Sequence, residues 1–131
     1  MRFAKWVFQL AGVSGILMVI PPYFLERQTS KDYPPAITHP EYYYGFFGVT
    51  LAWQIMFLVI ARDPIRYRMA MLPAMVEKAS FVIAIVILYA GDRVTGVWLG
   101  FAAMDATWLV LFVAAFLLTS KELHKDGTKT D

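Results

Sequence analysis

Cysteine is absent from the 131 residues. That absence removes disulfides, iron–sulfur ligation, thiolate zinc sites and thiol redox catalysis. Histidine is scarce: His39 and His124 are the two. Both fall outside the apolar runs, so a haem held by histidines in a bundle core has no ligand. Charged residues make up 17%, against roughly 25% in a soluble domain. HExxH, GxSxG, P-loop and GxGxxG patterns do not occur. No metal-ligand spacing or nucleophile–base dyad is visible, so neither a metal nor a cofactor is expected. The net charge of +2 is small and the basic residues lie near the ends of apolar runs. Nucleic acid is therefore not an expected partner.

What fills the chain is apolar, 59% hydrophobic and 16% aromatic. The excess falls into four runs, each near the ~20 residues that cross a bilayer. They cover about 3–20, 42–61, 69–90 and 94–119. The composition predicts an all-α membrane protein, a four-transmembrane-helix bundle forming a single domain. A loop at 21–41 and a polar tail at 120–131 complete it. The first run has a basic start, as a signal peptide does. It is longer than a typical signal core, lacks an A-x-A site and ends at Pro21-Pro22, so it reads as a retained span.

The breaks carry helix punctuation. "THPE" fits a capping box, with Thr38 as N-cap and Glu41 three residues on. "RDP" offers Asp63 as N-cap of the third span and Pro64 at its first position. Pro73 predicts a bend one turn before Glu77. Gly91 suits a C-cap, and the end of the tail is expected to fray.

Orientation follows from the Lys and Arg count. Arg2, Lys5, Arg62, Arg66, Arg68, Lys121, Lys125 and Lys129 share one side; Arg27, Lys31 and Arg93 share the other. The positive-inside rule then places both termini in the cytoplasm and argues against dual topology. The expected location is a cytoplasmic membrane. The loop at 21–41 lies outside, and its tyrosines suit a headgroup anchor or a lid over an outward-facing pocket.

Polar residues recur inside the runs. Helix rise puts Gln54 and Glu77 at one level, each about 12 Å from the inner boundary, and Asp105 near the midplane. Ser14 and Thr50 lie at a similar height. A central charge on a lone helix costs ~2.5–3.5 kcal/mol on insertion scales, so these groups are expected to face the bundle. Glu77 and Lys78 are adjacent, hence about 100° apart on a helix, and direct pairing between them is not expected. Lys78 either snorkels to the inner headgroups or turns to Asp105.

Three faces converge: Phe47, Thr50, Gln54 and Phe57; Pro73, Glu77, Ser80, Phe81 and Ala84; Trp98, Phe101, Ala102, Asp105, Trp108 and Phe112. They describe an aromatic-walled pocket with two carboxyls and an amide. Gln54, Glu77, Asp105, Trp98, Phe101, Trp108 and Thr50 are the candidate ligand-binding residues. Glu77 and Asp105 are the candidates for catalysis. The competing reading is glue between helices, helped by small residues at Ala11/Gly15, Gly45/Gly48/Ala52 and Gly100/Ala103/Ala106. Trp53 carries no special signal.

Three segments, "YYYGFFGVTLAWQ", "ARDPIRYRMAMLPAMVEKASF" and "FAAMDATWLVLFVAAFLLT", together resemble a group of small uncharacterised bacterial four-helix membrane proteins. The order of spans, Gln54 after an aromatic run, "LPAM" early in the third span and an acid below it are also similar, more distantly, to the EXPERA group of emopamil-binding isomerases and the sigma-2 receptor. That resemblance implies a four-helix core with an acidic pocket for sterols or amphipathic cations. The isomerases' pocket histidine has no counterpart here. DoxX-like proteins match by topology only, and likeness of fold does not settle function.

The favoured expectation is an intramembrane acidic, aromatic-lined pocket binding a hydrophobic or amphipathic small molecule, cationic or not, or a lipid. The alternatives are an accessory subunit of a larger membrane complex, a lipid-modifying isomerase-like enzyme using a buried carboxyl, and a small proton-coupled transporter. Membrane lipids are the expected surroundings, with a homodimer or larger complex as further partners.

Overall fold

The computed structural model describes the backbone of residues 2–127 and the side chains of residues 2–121. All its regular elements are helical: α1 (Arg2–Val19), α2 (Glu26–Asp32), α3 (Pro40–Arg62), α4 (Met71–Ala90) and α5 (Val97–Gly127). Four stretches are long and apolar enough to cross a membrane: Arg2–Phe24, Pro40–Arg62, Arg68–Ala90 and Val97–Lys121. The predicted loop contains the short helix α2 and a 3-10 turn at Pro21–Phe24. The first part of the predicted polar tail is helical, a continuation of α5 to Gly127. The frayed end predicted for the tail lies outside the described residues.

Two local expectations fail, and a third loses its physical basis, for identifiable reasons. Asp63 does not cap the third span. Its carboxylate accepts from Arg66 N at 3.1 Å and its carbonyl from Tyr67 N at 3.0 Å, which closes a separate turn. The span's helix starts only at Met71, after a 3-10 turn at Arg68–Ala70. Pro73 is thus in the first turn of α4, where its missing N–H has no helical acceptor to lose, so it breaks no hydrogen bond within the helix. At α3 the cap position is His39, with Pro40 following, rather than Thr38. Glu41 pairs instead with His39 Nδ1 at 2.9 Å. Gly91 does sit at the C-cap of α4, while the positive φ of the turn falls on Asp92, at 54°.

The helices pack as two pairs, α1 with α3 and α4 with α5. The pairs meet mainly along α1 and α5, and α3 scarcely touches α4. The result is an open arc rather than a closed ring. The start of α1, the end of α5 and the 63–70 connection share one end, the base.

The base is packed solid. Phe8, Phe57 and Phe112 are fully buried there with Ile60 and Met71. Phe8 stacks on Phe112 with centroids 4.3 Å apart, and Phe57 meets Phe112 edge-on at 5.0 Å. Apolar helices gain little from leaving lipid for one another, so such van der Waals contact carries the association.

Glycine decides the closest helix approach. A Cβ on Gly12 would stand 2.7 Å from the Leu58 side chain and 2.9 Å from the Gln54 carbonyl. One on Gly15 would collide with the Gln54 amide. Gly45 and Gly100 face open space, so those small-residue positions do not mark crossings.

Candidate functional site

Beyond the packed base, the pairs diverge around a cavity of about 1130 Å³. All seven predicted ligand-binding residues, Thr50, Gln54, Glu77, Trp98, Phe101, Asp105 and Trp108, line it. Ser14 joins them from α1, and Pro73, Ser80, Phe81 and Ala84 from α4. Phe112 and Ala102 do not line it; both are buried, Phe112 in the packed base.

One charged cluster spans the α4–α5 side. Lys78 Nζ lies 3.0 Å from Asp105 Oδ1 and 3.3 Å from Glu77 Oε2. It donates to Glu77 Oε1 at 3.4 Å. Direct pairing of Glu77 and Lys78 was not expected from the helix angle, and the structure overturns that. Backbone angle fixes where Cβ points; the four-carbon lysine stem curls sideways and brings its ammonium between the two acids. Lys78 is 6% exposed and Asp105 8%, so the ammonium is withdrawn from the surface. Of the two fates expected for Lys78, the turn to Asp105 is the one adopted.

The cluster carries two acids and one base. Glu77 Oε2 is buried and makes no hydrogen bond, despite its distance from Lys78. Lys78 also lies 5.6 Å from the centroid of Phe57, which joins the cluster to the aromatic base.

The neutral polar groups behave differently. Ser14 Oγ donates to Leu10 O at 2.7 Å, Thr50 Oγ1 to Phe46 O at 2.7 Å and Ser80 Oγ to Glu77 O at 2.9 Å. Each hydroxyl proton is spent on its own helix, so these residues do not tie helices together through that proton. Gln54 Nε2 donates to Thr50 O at 3.2 Å, and the rest of its amide lies over Gly15. The glue reading for Ser14 and Thr50 therefore lacks the interhelical bonds it requires, whereas Lys78–Asp105 is such a bond.

Sequence reasoning missed one part of the wall and gave a second only as the lid alternative for the 21–41 loop. Trp53 lines the cavity and tilts against Phe57 at 6.3 Å. Its i, i+4 spacing to Phe57 was the available signal. The second part is the segment between α1 and α3, which contributes Pro22, Thr29 and Tyr33. Tyr43 on α3 clasps it, donating to Pro22 O at 2.7 Å and lying 3.3 Å from Thr29 Oγ1. Tyr44 donates to Glu26 at 2.8 Å. Tyr33 reaches across to Trp98 on α5, with centroids 5.8 Å apart. The segment thus lies across the far end of the cavity.

Among the described residues no group of His, Asp and Glu is placed to hold a metal ion. The arrangement combines a large apolar volume with one buried, incompletely neutralised charge cluster, the pattern of a small-molecule site. Compared with known proteins, the chain matches no family model, no curated protein and no solved structure.

Proposed function

We propose that this chain is an integral protein of a bacterial cytoplasmic membrane, with both termini inside, whose cavity binds a hydrophobic or amphipathic small molecule or a lipid. The observation that carries the reading is the asymmetry of packing. Phe8, Phe57 and Phe112 fill the base, while about 1130 Å³ stays unfilled beside Glu77 and Asp105. A bundle needing only stability gains dispersion energy by filling that volume, and leaving it open forfeits those contacts. Trp53, Trp98, Trp108 and Phe101 supply apolar wall, and Glu77 with Asp105 supplies polar anchorage.

The test is thermal stabilisation of the purified protein by added lipids, sterol-like molecules and amphipathic amines. Stabilisation by one class, lost in Glu77→Gln or Asp105→Asn, supports the reading. Equal stabilisation of wild type and both variants removes those residues from the site. No stabilisation by any class counts against the pocket itself.

A second reading is favoured by the Lys78–Asp105 ion pair, which joins α4 to its packed neighbour α5. On it the cluster holds the helices in register for a larger membrane assembly. Co-purification of a stoichiometric partner after gentle extraction, with Asp105→Asn affecting stability alone, would favour it.

A further inference from the structure

The cavity has four sides and two ends, and they are not equally closed. The base is plugged by Phe57 and Phe112. The far end is crossed by the Pro22–Tyr33 segment, held on α3 by Tyr43 and touching α5 through Tyr33. The α1–α3, α1–α5 and α4–α5 seams are all packed. The seam between α3 and α4 is the exception. Phe46 and Val49 on α3 and Val76 on α4 line the cavity there and are also exposed to the surroundings, Val49 at 63% and Val76 at 66%.

Both helices bordering that seam are apolar enough to span a bilayer. On the membrane reading proposed above, their flanks at this seam face hydrocarbon rather than water. From these placements we infer that the cavity is loaded sideways through the α3–α4 cleft, and that its occupant is a hydrocarbon chain of a membrane lipid. This rests on the proposed binding cavity and adds the route and the chemical class. A water-borne solute would have to pass the far-end segment; a chain in the bilayer meets lips that are mostly apolar, Phe46 and Val49 on α3 and Pro73, Val76 and Ala84 on α4, with the Ser80 hydroxyl bonded to its own helix. The apolar lips cost a chain nothing in desolvation, whereas a strongly hydrated solute would have to shed water to pass them.

The chain's own tryptophans report the route. Trp53, Trp98 and Trp108 line the cavity, while Trp6 is on the outer surface of α1. Trp6→Phe therefore leaves emission from the cavity alone. This variant is reconstituted in bilayers of phosphatidylcholine with bromine in mid-chain, a short-range quencher, and compared with unbrominated lipid. Val49→Phe and Val76→Phe, at exposed positions outside the packed base, narrow the cleft in the same background.

The expected result is loss of most cavity emission in brominated lipid and recovery of much of it when the cleft is narrowed. Acrylamide in the buffer should quench weakly in all three proteins. Bromine quenching that narrowing leaves unchanged overturns the lateral route. Strong acrylamide quenching with little from bromine also overturns it, in favour of entry from water. In either case, stabilisation by added amphiphiles reports separately on the pocket: if it persists, the route fails and the binding cavity stands.

Discussion

Lys78 places its ammonium 3.0 Å from Asp105 and 3.3 Å from Glu77, on a side chain almost wholly withdrawn from the surface. One base thus serves two acids, and one of those acids keeps an oxygen without a hydrogen bond. That relationship ties α4 to α5 and gives the cavity its polarity at once. Its two roles are separable by substitution.

Removing one member should cost more than removing the pair. Lys78→Met leaves two buried acids unpaired, and Asp105→Leu leaves the lysine with Glu77 alone. Truncating one side of a buried ion pair costs about 3–5 kcal/mol, while apolar replacement of both partners is often neutral. Unfolding in mixed micelles should therefore rank Lys78→Met, which strands two acids, below the Lys78→Met/Asp105→Leu double variant, which strands Glu77 alone. Additive losses would contradict the pairing.

Glycine substitutions should divide sharply. Gly15→Ala drives a methyl into the Gln54 amide, and Gly12→Ala meets Leu58 and a backbone carbonyl. Overpacking of this kind costs about 1–3 kcal/mol. Gly45→Ala and Gly100→Ala meet nothing and should be neutral or stabilising by up to about 1 kcal/mol. Pairing Gly15→Ala with Gln54→Ala should recover much of the loss, since the clash is with that side chain. Melting temperatures of the five variants check the order.

The aromatic base should dominate stability. Phe57→Ala or Phe112→Ala removes a fully buried ring from a three-ring contact and should cost about 3–5 kcal/mol. Trp98→Phe and Phe101→Leu, on the cavity wall, should cost far less and act on ligand-induced stabilisation instead. Equal losses at both places would mean that the cavity is filled by its own side chains.

The absence of cysteine makes topology directly measurable. Gln28→Cys, in exposed α2, should react with a membrane-impermeant maleimide added to intact cells. Arg66→Cys, at an exposed position of the 63–70 connection, should react only after the cells are opened. The reverse pattern would invert the orientation given by the positive residues.

The helices and the site faces were legible in the sequence because both depend on local periodicity. Apolar length gave four spans, and 3.6-residue spacing put Thr50 with Gln54, and Trp98 and Phe101 with Asp105. Features set by side-chain flexibility or by third elements were not legible. The reach of Lys78 depends on its stem, not on its helical angle. Asp63 and Pro64 form a good helix-start signal, yet the chain spends it on a turn before α4. The spacing of Trp53 to Phe57 gave its face, but that this face borders an open cavity depends on how far α3 and α4 stand apart, which local periodicity does not encode. Nor does it show that Tyr43 clasps Pro22 across the far end.

The central claim is that the volume beside Glu77 and Asp105 belongs to an occupant. A high-resolution structure of the protein in native-lipid nanodiscs tests it most directly. The account predicts elongated density between Trp53, Trp98 and Trp108, ending near Glu77, with the Lys78–Asp105 contact intact. A cavity collapsed onto its own side chains, with α3 packed along α4, would contradict it.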